Sequence, residues 1–248
     1  MRKILAIFCL LIIIASCDES KLSHEKIGDL SLIGADVHIY QRLFDKKDNR
    51  IVVHLYDEEG KTIKNDSVKI YVNGTALNYT VKQDLYYTTS TYYLKDSIAP
   101  KDNKFSFEIE LSDGKKFFLA ETNALELVSS KNITCPEKGD LNKDIDVRWK
   151  DLTGIKYLVI STSRKIKKKD PDYPNMITYE GQAPDTLSIP STGQHILAKS
   201  TFDSALNQLS TVSFEFVAET QGNVNPRLIK GSEIDIRGNI EKSIFFDN

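Results

Sequence analysis

From residue 27 onward, hydrophobic and polar positions alternate with a period of two rather than 3.6. The apolar stretches are short, β-branched or aromatic, and bounded by turn residues: 37–40 (VHIY), 50–56 (RIVVHLY), 68–72 (VKIYV), 85–94 (LYYTTSTYYL) and 105–111 (FSFEIEL). In the last of these Phe105, Phe107, Ile109 and Leu111 alternate with Ser106, Glu108 and Glu110, which predicts one dry and one wet face. Ser112-Asp113-Gly114-Lys115 then predicts a tight hairpin into 116–120 (KFFLA), and Glu59-Gly60 and Asn73-Gly74 mark two further turns. No stretch of any length carries a helical period. The pattern predicts an all-β fold, with a first β-sandwich over residues 28–128.

A second block, residues 129–248, repeats the style without the sequence. The polar segment 129–140 (SSKNITCPEKGD), with Pro136 and Gly139, is the expected boundary. Beyond it Ile145, Val147 and Trp149 alternate with Asp146, Arg148 and Lys150; 157–160 (YLVI) follows a turn at Thr153-Gly154; Leu187 and Ile189, 212–217 (VSFEFV), and Ile234 and Ile236 continue the pattern. A lone Trp on an early strand, a Tyr-led strand after it and a late strand running into 218–222 (AETQG) resemble a fibronectin type III or immunoglobulin-like domain. That resemblance implies two tandem immunoglobulin-like β-sandwiches. Residues 194–209 depart from it, and within them 204–209 are read as a short helix or a loop excursion.

The N-terminus has a different pattern. Arg2 and Lys3 precede an unbroken apolar run, residues 4–15, which suits a signal peptide and falls short of the ~20 residues of a bilayer-spanning helix. Ile14-Ala15-Ser16-Cys17 resembles the bacterial lipobox. The resemblance implies that residues 1–16 are removed and that Cys17 carries the lipid anchoring the protein to a membrane, where two acyl chains hold stably and one does not. Plain secretion, with cleavage after Ala15-Ser16 and Cys17 a bystander, is the other reading. Acidic Asp18-Glu19 resembles the surface-export signal that follows the lipidated cysteine in Bacteroidota lipoproteins, and in enteric bacteria an inner-membrane retention signal. The expected address is therefore the cell envelope, most simply the outer membrane. Residues 17–27 read as a polar tether.

Without residues 1–16 the chain keeps 31 Lys and Arg against 35 Asp and Glu, a mildly acidic balance that gives nucleic acid no general attraction. Cys135 becomes the one free thiol, so the cores hold the fold without an intramolecular disulfide. No nucleotide-, metalloprotease- or hydrolase-type motif is present, and His24, His38, His54 and His195 lack metal-ligand spacing. The series Asp140, Asn142, Asp144, Asp146 with Asp151 resembles a calcium loop, but Ile145 stands where glycine is needed, and 145–149 reads as a strand. The expectation is no enzymatic activity, no cofactor and no metal.

Two features remain as binding candidates. Tyrosines cluster at Tyr79, Tyr86, Tyr87, Tyr92 and Tyr93; strand parity puts Tyr87 and Tyr93 on one face and Tyr86 and Tyr92 on the other. The outward rings would stack on sugars or a protein partner, or simply stabilise an edge. Arg164, Lys165, Lys167, Lys168 and Lys169 read as a hairpin loop, either solvated or facing anionic headgroups or an acidic partner. Asp66-Ser67, Asp96-Ser97, Asp185-Thr186 and Asp203-Ser204, each followed by an aliphatic residue, resemble the O-glycosylation acceptor of exported Bacteroidota proteins. The functional expectation is a non-catalytic, lipid-anchored protein-interaction or structural module, or alternatively a glycan-binding accessory lipoprotein of an outer-membrane nutrient-uptake system.

Overall fold

The computed structural model describes residues 19–83, 89–167 and 176–246. The protein is all-β, and among the described residues no helix reaches seven residues. Short 3-10 turns such as Lys21–Ser23, Leu30–Leu32 and Lys199–Thr201 punctuate the strands. None of these is long and apolar enough to cross a membrane.

The chain forms two compact units. The first gathers the described residues up to His38, Arg50–Thr122 and Gly222–Ile234; the second gathers Ile39–Asn49, Asn123–Gln221 and the described residues from Asp235. The units are therefore not consecutive in the way a split at 128/129 would make them. The expected linker at 129–140 is itself folded: Ile133–Thr134 pairs with Ile145–Trp149, and Lys138–Gly139 pairs with Glu233–Phe246. Edge strands can be polar on both faces, so composition alone misread this segment.

In the first unit, strand Asn49–Tyr56 pairs with Thr89–Asp96, which pairs with Asn78–Gln83. A second sheet runs in the order Asn223–Val224, Lys116–Asn123, Lys104–Glu110, Lys69–Val72, Thr75–Ala76. Both sheets alternate as the sequence predicts: Ile51, Val53 and Leu55 of one, and Ile70, Val72, Phe105, Phe107 and Ile109 of the other, are buried. Each such side chain contributes roughly 1.5–3 kcal/mol by leaving water. The predicted turns form as well. Asn73 (φ 47°) and Gly74 (φ 80°) both take the left-handed conformation that a two-residue hairpin requires, with Val72 opposite Thr75. At 112–115, Gly114 has φ 84°, and the Leu111 amide donates to the Lys115 carbonyl at 2.9 Å.

The segment read as a tether is, from residue 19, packed onto this unit. The Ser20 amide donates to the Thr62 carbonyl at 3.1 Å, the Asn65 side-chain amide donates to the carbonyls of Leu22 and Glu25 at 2.9 Å, and Ile27 is buried.

The second unit is built on three long strands, Ile155–Ile166, Asn207–Gln221 and Glu233–Phe246, the middle one antiparallel to both others. The sequence marked only their apolar centres. Small polar side chains extend them, as where the Ser213 and Ser243 hydroxyls meet at 2.8 Å. The expected helix or excursion at 204–209 is a turn followed by the start of the middle strand, with Leu209 fully buried. Trp149 lies on the short strand Ile145–Trp149, as expected, edge-on to Phe216 at 5.6 Å, with its indole N–H donating to the Pro190 carbonyl at 2.9 Å.

Candidate functional site

The outward face of the first unit's Asn49–Tyr56 sheet carries a polar and aromatic shelf. Because side chains alternate, burying Ile51, Val53, Leu55 and Tyr93 forces Arg50, Val52, His54, Tyr56 and Tyr92 to the other side. Tyr92 and His54 meet there as half-buried rings, their centroids 5.8 Å apart and tilted by 57°. Together with Arg50, Lys82 and Ser90 they line a shallow depression of about 260 Å³. A second depression, of about 380 Å³, adjoins at His54 and is lined also by Asp36, Tyr56 and Thr62.

Local packing sets this shelf. Tyr92 is threaded between two core residues, Thr91 and Tyr93, which are 3% and 2% exposed, so its backbone cannot rotate away. The Tyr93 hydroxyl faces the Val68 and Asn65 carbonyls at 2.9 and 3.1 Å, its ring lies edge-on to Tyr79, and burial pushes its phenol pKa strongly up. Tyr56 lies over Gly34, where any side chain would collide with its ring, and burial raises its pKa first, with Asp36 adding to the effect. His54 is held below the ordinary imidazole value, chiefly by burial and then by His38, while Asp36 and a hydrogen bond with the Thr91 backbone push the other way. A neutral imidazole, a carboxylate, two phenols and two cations thus border an open, partly apolar surface. Such a surface can stack a flat, amphipathic ligand and hydrogen-bond its rim.

The sequence candidates fall as follows. Tyr92 and Tyr93 fall on opposite faces of the described strand Thr89–Asp96, as strand parity requires: Tyr92 stands on the shelf, whereas Tyr93, also a binding candidate from the sequence, is 2% exposed in the core and closed to a ligand. Cys17, Tyr86, Tyr87, Lys168 and Lys169 lie outside the described residues. Arg164 and Lys165 belong to the strand Ile155–Ile166, not to a loop. Arg164 is 9% exposed and donates to the Thr201 carbonyl at 2.7 Å and to Asn207 Oδ1 at 3.4 Å; Lys167 pairs with Asp203 and donates to the Ser204 carbonyl. Those two cations are thus engaged within the fold. The sequence does not single out Asp36, Tyr56, Lys82 or Ser90, and it gives His54 only as an ordinary strand residue. Strand parity faces them outward, but only strand pairing makes them neighbours.

Three carboxylates of the calcium-like series have protein partners. Asp140 accepts from the Asn142 amide at 2.9 Å, Asp144 accepts from the Lys199 amide at 2.9 Å, and Asp146 binds Arg148 at 2.6 Å. Among the described residues no group of three potential ligands could hold a metal. Cys135 is half-buried, its thiol pKa raised by burial although Lys242 opposes this. Of the glycosylation-like sites, Ser67, Ser97, Thr186 and Ser204 are all exposed; the Ser67 hydroxyl is tied at 2.6 Å to Asn65 Oδ1 and Ser112 Oγ, and the Ser204 hydroxyl donates to the Asn207 carbonyl at 3.1 Å.

No family model matches the chain, and no curated protein does. Among solved structures, a match is SGBP-B of the Bacteroides ovatus mixed-linkage glucan utilization locus, in complex with a mixed-linkage heptasaccharide. The two are 9% identical with a TM-score of 0.18, and the alignment covers 87% of this chain and 61% of the other. The chain thus spans less than two thirds of that structure's length, and at this distance the likeness carries no argument about function.

Proposed function

We propose that the protein is a non-catalytic, lipid-anchored cell-envelope module that holds a saccharide on the outward shelf of its first unit. The observation that carries this reading is the half-exposed Tyr92 ring tilted against His54 in a depression bordered by Arg50, Lys82 and Ser90. An aromatic face takes the C–H face of a pyranose, and the surrounding polar groups take its hydroxyls. The anchor rests on the lipobox at Cys17. Because folding begins by residue 19, lipidation there would leave a reach of at most about 7 Å between lipid and first unit. The unit would sit against the headgroups, in the outer membrane by the Asp18-Glu19 pattern.

A protein-interaction role, the second reading, is favoured by a different place. Strands Tyr179–Gly181 and Asp185–Ser188 are exposed along their whole length, and Met176, Ile177, Tyr179 and Leu187 stand in water there. An edge of that kind invites another chain.

An array of immobilised neutral oligosaccharides, probed with the mature chain carrying Cys17→Ser, separates the two. The saccharide reading predicts binding that Tyr92→Ala reduces at least tenfold. Silence across the array, with a partner captured through Tyr179 and Leu187, would favour the second. In cells, Cys17→Ser is expected to move the protein from the membrane to the soluble fraction.

A further inference from the structure

The first unit has a second aromatic depression, on the outward face of its other sheet. It encloses about 370 Å³ and is lined by Phe118, Ser106, Glu108, Asn73, Lys101 and Gly74. Phe118 is 40% exposed, unusual for a phenylalanine on a strand whose next two residues, Leu119 and Ala120, are fully buried. Its position is fixed from behind: the Asn225 side chain donates to the Phe118 carbonyl at 2.7 Å, and the Asn225 amide donates to the Leu119 carbonyl at 2.8 Å.

The rim is equally rigid. Asn73 Nδ2 donates to the Ala99 and Lys104 carbonyls at 3.0 and 3.1 Å, and its Oδ1 accepts from the Ser106 amide at 3.0 Å. A single side chain thus ties three segments together beside the ring. The neighbouring aromatic, Tyr71, is already occupied: Lys116 Nζ sits 4.2 Å from its ring centroid, and its hydroxyl donates to Glu110 at 3.0 Å. Phe118 is the aromatic ring that lines the depression.

We propose that this depression is a second saccharide subsite, with Phe118 as the stacking platform and Glu108, Ser106 and Lys101 as hydroxyl partners. The proposal rests on the saccharide reading of the Tyr92 shelf and deepens it. One aromatic face set among a carboxylate, a hydroxyl and an ammonium matches a pyranose, which is apolar on one face and polar around its edge. A stable protein partner would call for about 800 Å² of complementary surface per side. The two sites lie on opposite outward faces of one sandwich, whose sheets are separated by about 10 Å of core. With the core between them, a pyranose stacked on one ring faces away from the other, so each site binds its own sugar. On an insoluble polysaccharide the two would act together, raising avidity without any new contact.

The test is equilibrium titration of the full mature chain, carrying Cys17→Ser, with cellohexaose, xylohexaose, mannohexaose and chitohexaose in turn. The expected result is two equivalents of at least one sugar bound to the parent protein. One equivalent should remain in Phe118→Ala and one in Tyr92→Ala, with at least a tenfold loss of affinity at each altered site. Should Phe118→Ala fail to fold, Glu108→Gln on the exposed rim serves in its place, with a severalfold weakening of one equivalent only. A single equivalent that Tyr92→Ala removes and Phe118→Ala spares overturns the second subsite and leaves the shelf intact. A single equivalent that only Phe118→Ala removes keeps this site and overturns the shelf. Binding of none of the four sugars overturns both.

Discussion

At the scale of single residues, adjacent tyrosines have opposite roles because a strand turns every second side chain over. Tyr93 is 2% exposed and its hydroxyl is satisfied by the Val68 and Asn65 carbonyls. Removing that hydroxyl in Tyr93→Phe should cost about 1 kcal/mol, and removing the ring in Tyr93→Ala about 3–5 kcal/mol, both measurable by urea denaturation. Tyr92→Ala, on the wet face of the same strand, should leave the denaturation midpoint nearly unchanged while weakening ligand. His54 adds a pH dependence. Its pKa is depressed in the folded state, by burial first and by His38 second, against Asp36, so below its ordinary value near 6.5 the unfolded chain binds the proton more readily. The stability that neutral His54 contributes is therefore complete above that value and is lost as the pH falls toward the depressed folded pKa. Thermal melts across this range should show a downward slope in the parent protein and a shallower one in His54→Gln.

At the scale of elements, hairpins and two-period strands carry the fold. Gly74 has φ 80° with open space where a side chain would stand, so Gly74→Val suffers from backbone conformation rather than collision. A loss of about 1–2 kcal/mol in a denaturation series is expected, with the core untouched. These elements were legible in the chain: Phe105, Phe107 and Ile109 announce their strand by alternation, and Asn73-Gly74 announces its turn by chemistry. What stayed hidden was non-local. Asn223–Val224 returns to pair with Ala120 and Glu121, but two residues hold no period to detect. Likewise Tyr92 could be picked as an outward ring, yet its place beside His54 depends on which strand pairs with which. Residues 129–140 and the start of the basic run, 164–166, read as linker and loop because polar residues dominate both. In the structure, backbone pairing holds Ile133–Thr134, Lys138–Gly139 and Arg164–Ile166 in strands despite that polarity.

At the scale of the whole molecule, two compact units are built from interleaved stretches of chain, Gly222–Ile234 lying with the first and Ile39–Asn49 with the second. The first unit presents an aromatic depression on each outward face. If Cys17 is lipidated, the folding that begins by residue 19 leaves that unit almost no slack above the membrane. Whether the Tyr92 and His54 shelf holds a sugar is decided by a crystal structure of the mature chain grown with the tightest-binding of the four hexasaccharides. A pyranose stacked on Tyr92 is expected, its hydroxyls within hydrogen-bond distance of His54, Ser90 or Arg50. Sugar density elsewhere on the protein, with the shelf holding only water, would overturn the saccharide role of the shelf.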